Sequence, residues 1–454
     1  MDEDDLQALL PALEGFHARF ARFFRRTEGR AFGRRYLMGL ALPIERKNVE
    51  NIAEGVGAPA RKLQEFLSDS PWDDEGCIGE LQCFTGEQLG TPCGVLVLDD
   101  TGFPKKGIHS AGVGRQYSGT LGRVDNCQVG VFLGYASRHG HTLVDRRLYL
   151  TEGWLGDPVK RRSPRAAVPA DVAFRTKLDL AAEMLTRAAE RGHLPYAWVT
   201  ADAAYGDSHD LRRLVAEQGR WYCFEVRGTA EVWSMDPGWG VPPPSAGAGR
   251  RPTRARPGPG SVAARTVEAI VRSLPAGDWI RHRVTEGEKG PREYEFVRLR
   301  VIEKIHREPG PEGWLMARRP VGSDAGADIK CYLSNAPATV ALAEMAAVGC
   351  LRWTIEEDFE LAKGEVGLDH YEVTRYRGWY HHITLSLMAL AFLKSVQHEW
   401  GKKRSTGVGA GGAPAARGGV AARALERHHR DRLVRAPATA EGRRQGQSQE
   451  AVDP

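Results

Sequence analysis

The chain has 454 residues, 42% hydrophobic and 27% charged, which is typical of a globular protein with two to four domains and a substantial core. Runs of apolar residues stay short of the roughly 18 that a membrane span needs, and the acidic start Met1–Asp5 lacks the layout of a signal peptide. Membrane insertion and secretion are therefore disfavoured. Seven cysteines without a C-x-x-C pair argue against a disulfide framework or a cysteine zinc site, and suit a reducing cytoplasm.

The positive charge is unevenly distributed. The formal net charge is +5, but residues 401–454 carry +6, which leaves residues 1–400 at −1. Local basic patches lie at 14–47, with nine Lys or Arg against three acids, and at 250–265, with five Arg and no acid. Any surface that binds nucleic acid must therefore be made of such patches.

Residues 1–75 are predicted to be helical. Apolar residues recur at three- and four-residue spacing from Leu6 to Phe24, with arginines between them. Around Gly57 the pattern predicts helix, glycine turn and helix, which is the outline of a DNA-binding helix-turn-helix region. A small helical bundle has the same outline, so both interpretations stay open here.

From residue 90 to 230 the pattern changes to strands. Buried strands are predicted at 95–98, 129–136, 143–150, 197–200 and 221–226, with helices at 171–191 and 208–218. This order predicts an α/β fold with a ribonuclease-H-like mixed five-stranded sheet flanked by helices. In that order the first and fourth strands are neighbours, which would bring Asp100 and Asp202 together.

The next segment, 231–338, is predicted to be a linker followed by an antiparallel β-insertion. Residues 237–260 are rich in Pro, Gly and Arg and predict an exposed flexible loop. Strand-like pieces follow at 279–284, 294–302, 314–317 and 330–333. Tryptophans in this region are expected to pack in the core, although they could also stack on an extruded base; they are Trp233, Trp239, Trp279 and Trp314.

Helices at 339–400 are predicted to complete the catalytic core, and a tail follows. Residues 401–454 contain no aromatic residue except histidine and only six Val, Leu, Ile or Met, so a disordered basic tail is expected. A tail of this kind can bind DNA nonspecifically. A frame-shifted C-terminus in a defective copy would look the same, and the sequence leaves both open.

Three carboxylates stand in a pattern that suggests chemistry. Asp100 and Asp202 each follow a buried strand, where α/β proteins keep their sites. In a helix over 351–363, Arg352, Glu356 and Lys363 fall within about 40° of each other. Single residues of these kinds also serve as turn or cap aspartates and as i,i+4 ion pairs. Together, three convergent carboxylates are what a pair of Mg²⁺ ions requires for phosphoryl transfer.

Three blocks of the chain resemble the DDE transposases of bacterial insertion sequences, in the IS-four and IS-seven-hundred-and-one grouping. Residues 94–135, GVLVLDDTGFPKKGIHSAGVGRQYSGTLGRVDNCQVGVFLGY, resemble the block of the first aspartate, and 198–207, WVTADAAYGD, the second. The family's third signature is Tyr, two residues, Arg, three residues, Glu, six residues, Lys. Arg352, Glu356 and Lys363 fit it, but Gly349 stands where the tyrosine should be.

The resemblance implies roles for these residues. Asp100, Asp202 and Glu356 would bind two Mg²⁺ ions, or Mn²⁺ as a substitute, with Asp99 as the alternative first carboxylate. Arg352 and Lys363 would contact DNA phosphates beside the scissile bond. Apart from the resemblance, Lys105, Lys106 and Arg115 lie in a basic, glycine-punctuated loop just after the first aspartate, which is expected to contact DNA, although an ordinary solvated loop has the same composition.

The function that this implies is a transposase. It would bind the double-stranded ends of its insertion sequence and catalyse DNA strand cleavage and strand transfer into target DNA, as a homodimer or higher oligomer in the bacterial cytoplasm at the nucleoid. One alternative is a transposase-derived DNA-binding protein without catalysis. A glycoside hydrolase, which needs two carboxylates but neither metal nor basic patches, is disfavoured by the cations beside Glu356.

Overall fold

A computed structural model describes residues 3–119, 122–161, 163–243, 252–287, 290–322 and 328–406. The chain divides into two units, one that ends at Ser395 and one that begins at Val396. The predictions for residues 244–251 of the Pro- and Gly-rich loop, and for 407–454 of the basic tail, lie outside the described residues. In the described part of the chain, every helix is too short or too polar to cross a membrane.

The N-terminal region consists of five helices: α1 (Glu3–Phe20), α2 (Thr27–Ala41), α3 (Val49–Gly55), α4 (Ala60–Ser68) and α5 (Asp74–Leu89). The predicted helix-turn-helix outline corresponds to α3 and α4, and Gly57 adopts a positive φ of 60° in the turn between them. In α4, Leu63, Phe66 and Leu67 are buried, while Arg61 and Lys62 on its outer surface pair with Glu65.

The five predicted core strands are present as β1 (Val95–Pro104), β3 (Arg123–Ser137), β4 (Gly140–Tyr149), β5 (Trp198–Ala201) and β6 (Trp221–Val226), with β2 (Gly114–Ser118) between the first two. Their order in the sheet is β4-β3-β1-β5-β6. The pairs β4–β3 and β3–β1 are antiparallel, whereas β1–β5 and β5–β6 are parallel. This order and these directions confirm the ribonuclease-H-like core.

Helices cover both faces of the sheet. They are α6 (Glu152–Gly156), α7 (Pro158–Arg161), α8 (Lys177–Arg191), α9 (Ala203–Gly206), α10 (His209–Glu217), α11 (Val267–Arg272), α12 (Leu342–Cys350), α13 (Trp353–Val366) and α14 (Tyr376–Thr406). Leu96 and Leu98 of β1 share a core cluster with Met184 of α8. Phe103 instead packs edge-on to Trp379 of α14. Because side chains alternate along a strand, even-numbered residues of β1 face α8 and odd-numbered ones face α13 and α14.

The β-insertion continues the same sheet. Its strands are β7 (Glu231–Trp233), β8 (Arg265–Thr266), β9 (Ile280–Gly287), β10 (Gly290–Ile305), β11 (Glu308–Pro320) and β12 (Lys330–Ser334). β12 pairs antiparallel with β6, and β11, β10, β7 and β8 follow in that order, with β9 beside β10. The result is one 12-stranded sheet. β10 and β11 are longer than predicted because the extra residues at their ends, among them Gly290, Pro291, Pro309, Gly310 and Pro311, carry a weak strand signal.

A buried ion cluster joins the N-terminal helices to the core. Arg146 of β4 is fully buried and pairs with Asp74 and Glu75 of α5. Its neighbour Arg147 pairs with Asp145 at 2.8 Å and with Glu183 of α8 at 3.1 Å. Buried charges of this kind are tolerated only when they are mutually paired. The cluster therefore anchors α5 against β4 and α8.

Candidate active site

The two adjacent aspartates of β1 lie on opposite faces of the sheet. The strand does not end at them as predicted: pairing with β5 stops at Leu98, but β1 continues beside β3 to Pro104. Asp99 and Asp100 therefore sit just beyond the last parallel pair, at the edge where β5 ends. By alternation, Asp100 faces α8 and Asp99 faces α13.

Asp100 is held by two donors on the α8 face. The Lys177 ammonium lies 3.0 Å from both carboxylate oxygens, and the Tyr205 hydroxyl donates to Oδ2 at 2.9 Å. The side chain of Asp100 is 19% exposed and that of Lys177 33%. The sequence analysis missed both partners, although Lys177 is the first residue of an amphipathic helix and Tyr205 lies within the second resemblance block.

Asp99 belongs to the cluster on the α13 face. The Arg352 guanidinium contacts Asp99 Oδ2 at 3.2 Å through Nη1 and Glu356 Oε1 at 2.6 Å through Nη2. Burial, and next the charge of Asp202, raise the pKa of Asp99 to about 7, even though Arg352 acts in the opposite direction. The Arg352 guanidinium thus links the carboxylates of Asp99 in β1 and Glu356 in α13, and Asp202 lies close to Asp99.

Asp202 follows the end of β5 and caps the short helix α9. Its carboxylate accepts hydrogen bonds from the backbone N–H groups of Ala204 at 3.0 Å and Tyr205 at 3.4 Å. Burial raises the pKa of Asp202, whereas the nearby Arg352 lowers it and Asp100 raises it. Asp202 is therefore a helix cap, and it lies close enough to Asp99 and Asp100 to interact with both electrostatically.

Helix α13 begins two residues later than predicted. Arg352 is its N-cap residue and forms the i,i+4 pair with Glu356. Two turns further along, Lys363 Nζ donates to Thr101 Oγ1 at 2.9 Å, and burial lowers the pKa of this lysine. Thr101 follows Asp99 by two residues on the same face of β1. Arg352 therefore contacts Asp99, and Lys363 contacts the next residue on that face.

A buried network behind α13 was not predicted as a unit. Asp358 is 1% exposed and contacts His141 Nδ1 of β4 at 2.9 Å and Lys394 Nζ of α14 at 3.2 Å. Burial raises the pKa of Asp358, but the charges and hydrogen bonds of His141 and Lys394 lower it by more, so the net shift is downward. The network fixes α13 between β4 and α14, and with it the position of Glu356.

The carboxylate cluster fits a hard divalent cation in its chemistry. Arg352 contacts Asp99 and Glu356; burial lowers the pKa of Arg352, but the charges of Asp99, Glu356 and Asp202 raise it by more. Burial and the charge of Asp202 raise the pKa of Asp99, and a divalent cation beside it would favour the ionised carboxylate. Within the described ranges, no three His, Cys, Asp or Glu side chains lie close enough to hold one ion together.

The three residues of the basic loop are placed differently from one another. The Lys105 ammonium lies 3.4 Å from the centre of the Tyr371 ring and donates to the Tyr371 carbonyl at 3.0 Å. Burial lowers the pKa of Lys105 to about 8. Lys106 and Arg115 are exposed. Lys105 is thus engaged with the protein, whereas the other two face solvent.

Gly349, at the position of the family's tyrosine, packs closely against neighbouring side chains. A Cβ there would come within 2.9 Å of Met316 Cε and 3.4 Å of Cys223 Sγ, so a larger residue would require Met316 of β11 to shift.

His381, His382 and the tryptophans of the insertion lie in packed surroundings. His381 Nδ1 lies 2.8 Å from the Leu67 carbonyl oxygen, and His382 Nδ1 lies 2.9 Å from the Tyr36 hydroxyl. Burial lowers the pKa of each histidine to about 3. Trp233 and Trp279 are buried, and Trp314 donates to the Ala336 carbonyl at 2.9 Å, in agreement with packing roles.

The ribonuclease-H-like sheet places Asp99 of β1 near Asp202 at the end of β5, and Arg352 links Asp99 to Glu356 of α13. Comparison with known families identifies the class of protein. Residues 19–291 match the family model of the DDE superfamily endonucleases. The chain belongs to this family, and the predicted resemblance to insertion-sequence transposases is confirmed.

Two relatives illustrate the similarity. The chain is 32% identical over 178 residues to the probable transposase for insertion sequence element IS701 from Microchaete diplosiphon, an alignment covering 38% of this chain and 42% of that protein. A solved structure of piggyBac transposase in a synaptic complex with hairpin DNA aligns over 94% of this chain and 84% of its own, at 10% identity and a TM-score of 0.39. The second likeness is too distant to bear on function.

Proposed function

We propose that this protein is a transposase that binds the ends of its insertion sequence and catalyses divalent-metal-dependent DNA cleavage and strand transfer. Family membership supports a DNA-cleaving enzyme, and the partial similarity to an IS701 transposase supports transposition. We further propose that it works in the bacterial cytoplasm at the nucleoid, as a homodimer or higher oligomer on DNA.

One observation carries the assignment of the site. The Arg352 guanidinium bridges Asp99 and Glu356, and Asp202 lies close enough to raise the pKa of Asp99. The sequence favours Asp100 as the first carboxylate, but Asp100 faces α8 and is engaged by Lys177 and Tyr205. We therefore take Asp99, Asp202 and Glu356 as the metal-binding set, and Asp100 remains the alternative from the sequence.

These three carboxylates would hold Mg²⁺, with Mn²⁺ as a substitute, through their oxygens. Two such ions, when bound, activate the attacking hydroxyl and stabilise the leaving oxygen of an in-line displacement. In the first step water attacks a phosphodiester at the element's end, and a 3′-hydroxyl is released. That 3′-hydroxyl then attacks a phosphodiester of the target, so each new P–O bond replaces one that breaks.

The cations of α13 would orient the DNA. Arg352 and Lys363 lie at the carboxylate cluster, where a phosphate of the substrate must come close. Arginine suits this task because its planar guanidinium can donate two parallel hydrogen bonds to a phosphate. When a phosphate takes up these donors, Asp99 and Glu356 lose their contact with Arg352 and become available as ligands.

The test is Mg²⁺-dependent cleavage of a DNA duplex that carries the element's own ends. Asp99→Ala, Asp202→Ala and Glu356→Ala should each abolish cleavage and retain DNA binding. The matched control is Glu360→Ala, since Glu360 is an exposed glutamate one turn further along α13.

The outcomes separate the possibilities. If Asp100→Ala is inactive and Asp99→Ala cleaves normally, the sequence-based choice of the first carboxylate is right. If the wild type binds the element ends but cleaves neither them nor any target under Mg²⁺ or Mn²⁺, the protein is a DNA-binding relative without catalysis.

A further inference from the structure

The hairpin formed by β2 and the start of β3 exposes an apolar and basic surface. It lies beside the part of the sheet that carries Asp99, Asp100 and Asp202, which we call the carboxylate edge. Tyr117 is 61% exposed and Val124 52%, and the two are directly paired across the strands. Cross-strand partners point to the same side of a hairpin, so their side chains form one exposed pair. Arg115, two residues before Tyr117 and also exposed, lies on that side as well. We call Arg115, Tyr117 and Val124 the outer face of the hairpin.

The opposite side of the hairpin is buried and fixed. Gln116 donates to the carbonyls of Gly112 and Cys127, both at 3.0 Å, and Ser118 is fully buried. On the side of the outer face, the side-chain amide of Asn126, the cross-strand partner of Arg115, donates to the carbonyl of Gly107 at 3.0 Å, which ties the hairpin to the loop after β1. The outer face is therefore held on a rigid base and does not depend on a loose loop for its position.

The same contacts place the hairpin next to the site. Ser118 packs directly against Gly102, so closely that a Cβ at position 102 would collide with its hydroxyl. Gly102 lies two residues beyond Asp100 on the same face of β1. The hairpin therefore stands on the α8 side of the carboxylate edge, while Arg352 and Lys363 of α13 stand on the other side.

The chemistry of the outer face fits DNA. An exposed aromatic ring can stack on a base or a sugar, and an adjacent arginine can pair with a phosphate. Isolated exposed apolar residues are common on proteins, but here two are paired on a rigid strand with a cation beside them.

We infer that the outer face of the β2–β3 hairpin is a second DNA-contact surface, on which Tyr117 packs against the DNA that flanks the scissile phosphate. The inference rests on one part of the proposed function, which is that DNA binds at the carboxylate edge. It does not depend on cleavage of that DNA. Together with α13, the hairpin would grip the substrate from both faces of the sheet.

The experiment measures binding of the full chain to a fluorescent duplex of arbitrary sequence, with Ca²⁺ present, over a series of salt concentrations. Tyr117→Ala should weaken binding about 5- to 100-fold without changing the salt slope, because stacking is not electrostatic. Tyr117→Phe should stay within about twofold of wild type. Arg115→Gln should lower the slope by about one unit. The control is Met235→Ala, since Met235 is also 61% exposed but lies outside the hairpin.

Three results would overturn the inference. One is a Tyr117→Ala variant that binds like wild type. Another is an equal loss in Met235→Ala. The third comes from sedimentation: if Tyr117→Ala disrupts self-association and leaves the DNA affinity of each protomer unchanged, the face binds a second copy of the chain. A protein that shows the Tyr117 effect but never cleaves would refute the proposed catalysis alone, so the two failures are distinguishable.

Discussion

Asparagine substitutions at Asp99 and Asp100 should have opposite effects on stability at high pH. Burial and the charge of Asp202 raise the pKa of Asp99 from 3.8 to about 7 in the folded protein. The folded state therefore binds this proton more tightly than the unfolded state does. The contribution of the protonated Asp99 carboxyl to the free energy of unfolding is fully present below about pH 4. It falls as pH rises and is lost above about pH 7.

The magnitude follows from the shift. At about 1.4 kcal/mol per pKa unit, the ionised Asp99 costs at most about 4 kcal/mol at pH 8 and under about 2 kcal/mol at pH 5. Asparagine resembles the protonated acid, so Asp99→Asn should raise the unfolding free energy more at pH 8 than at pH 5. Asp100→Asn should instead lower it, by about 1–2 kcal/mol, because the Lys177 contact and the bond from Tyr205 are weakened.

The assay is urea unfolding of wild type and both variants at about pH 5 and about pH 8, with EDTA present to remove divalent ions. The difference in unfolding free energy between each variant and wild type removes the contributions of all other titrating groups and leaves that of the substituted aspartate. If Asp99→Asn destabilises the protein at pH 8, or shows the same change at both pH values, Asp99 is not the buried, strained carboxylate that the geometry indicates. If Asp100→Asn is the variant that gains stability, the two aspartates have exchanged roles.

Three further predictions concern α13 and the metal. Arg352→Ala and Lys363→Ala should each lower the salt slope of DNA binding by about one unit and reduce cleavage more than binding; a lower melting temperature with an unchanged slope would mean that Arg352 only braces the helix. Mg²⁺ or Mn²⁺ should support cleavage whereas Ca²⁺ should support binding alone, and undiminished cleavage in excess EDTA would exclude the metal mechanism. Asp358→Asn should lower the unfolding free energy by about 3–5 kcal/mol, because Lys394 and His141 keep buried positions without their carboxylate; denaturant titration that finds less than about 1 kcal/mol would contradict this network.

The strands, the helices and their order were predictable because they depend on local pattern. The buried strand β6, over Trp221–Val226, is apolar except for Glu225, and α8 repeats apolar residues at helical spacing. β2 was missed because the residues Gly114–Ser118 alternate two buried polar side chains with exposed ones, which is not an apolar pattern. The prediction for β1 was too short because Asp99 and Asp100 resemble the polar residues that end a strand. In the structure both residues pair with β3, and the strand continues to Pro104.

By itself, the sequence determined the fold class and the family. It favoured Asp100 over Asp99 as the first carboxylate, but it could not show what each would contact, because adjacent residues of a strand point to opposite faces and nothing local says which face α13 will cover. Tertiary packing set Arg352 between Asp99 and Glu356 and Lys177 against Asp100. Tertiary packing also placed Lys105 in contact with Tyr371 and Ser118 of the β2–β3 hairpin in contact with Gly102. These are contacts between residues far apart in the chain, and a periodic pattern carries no information about them.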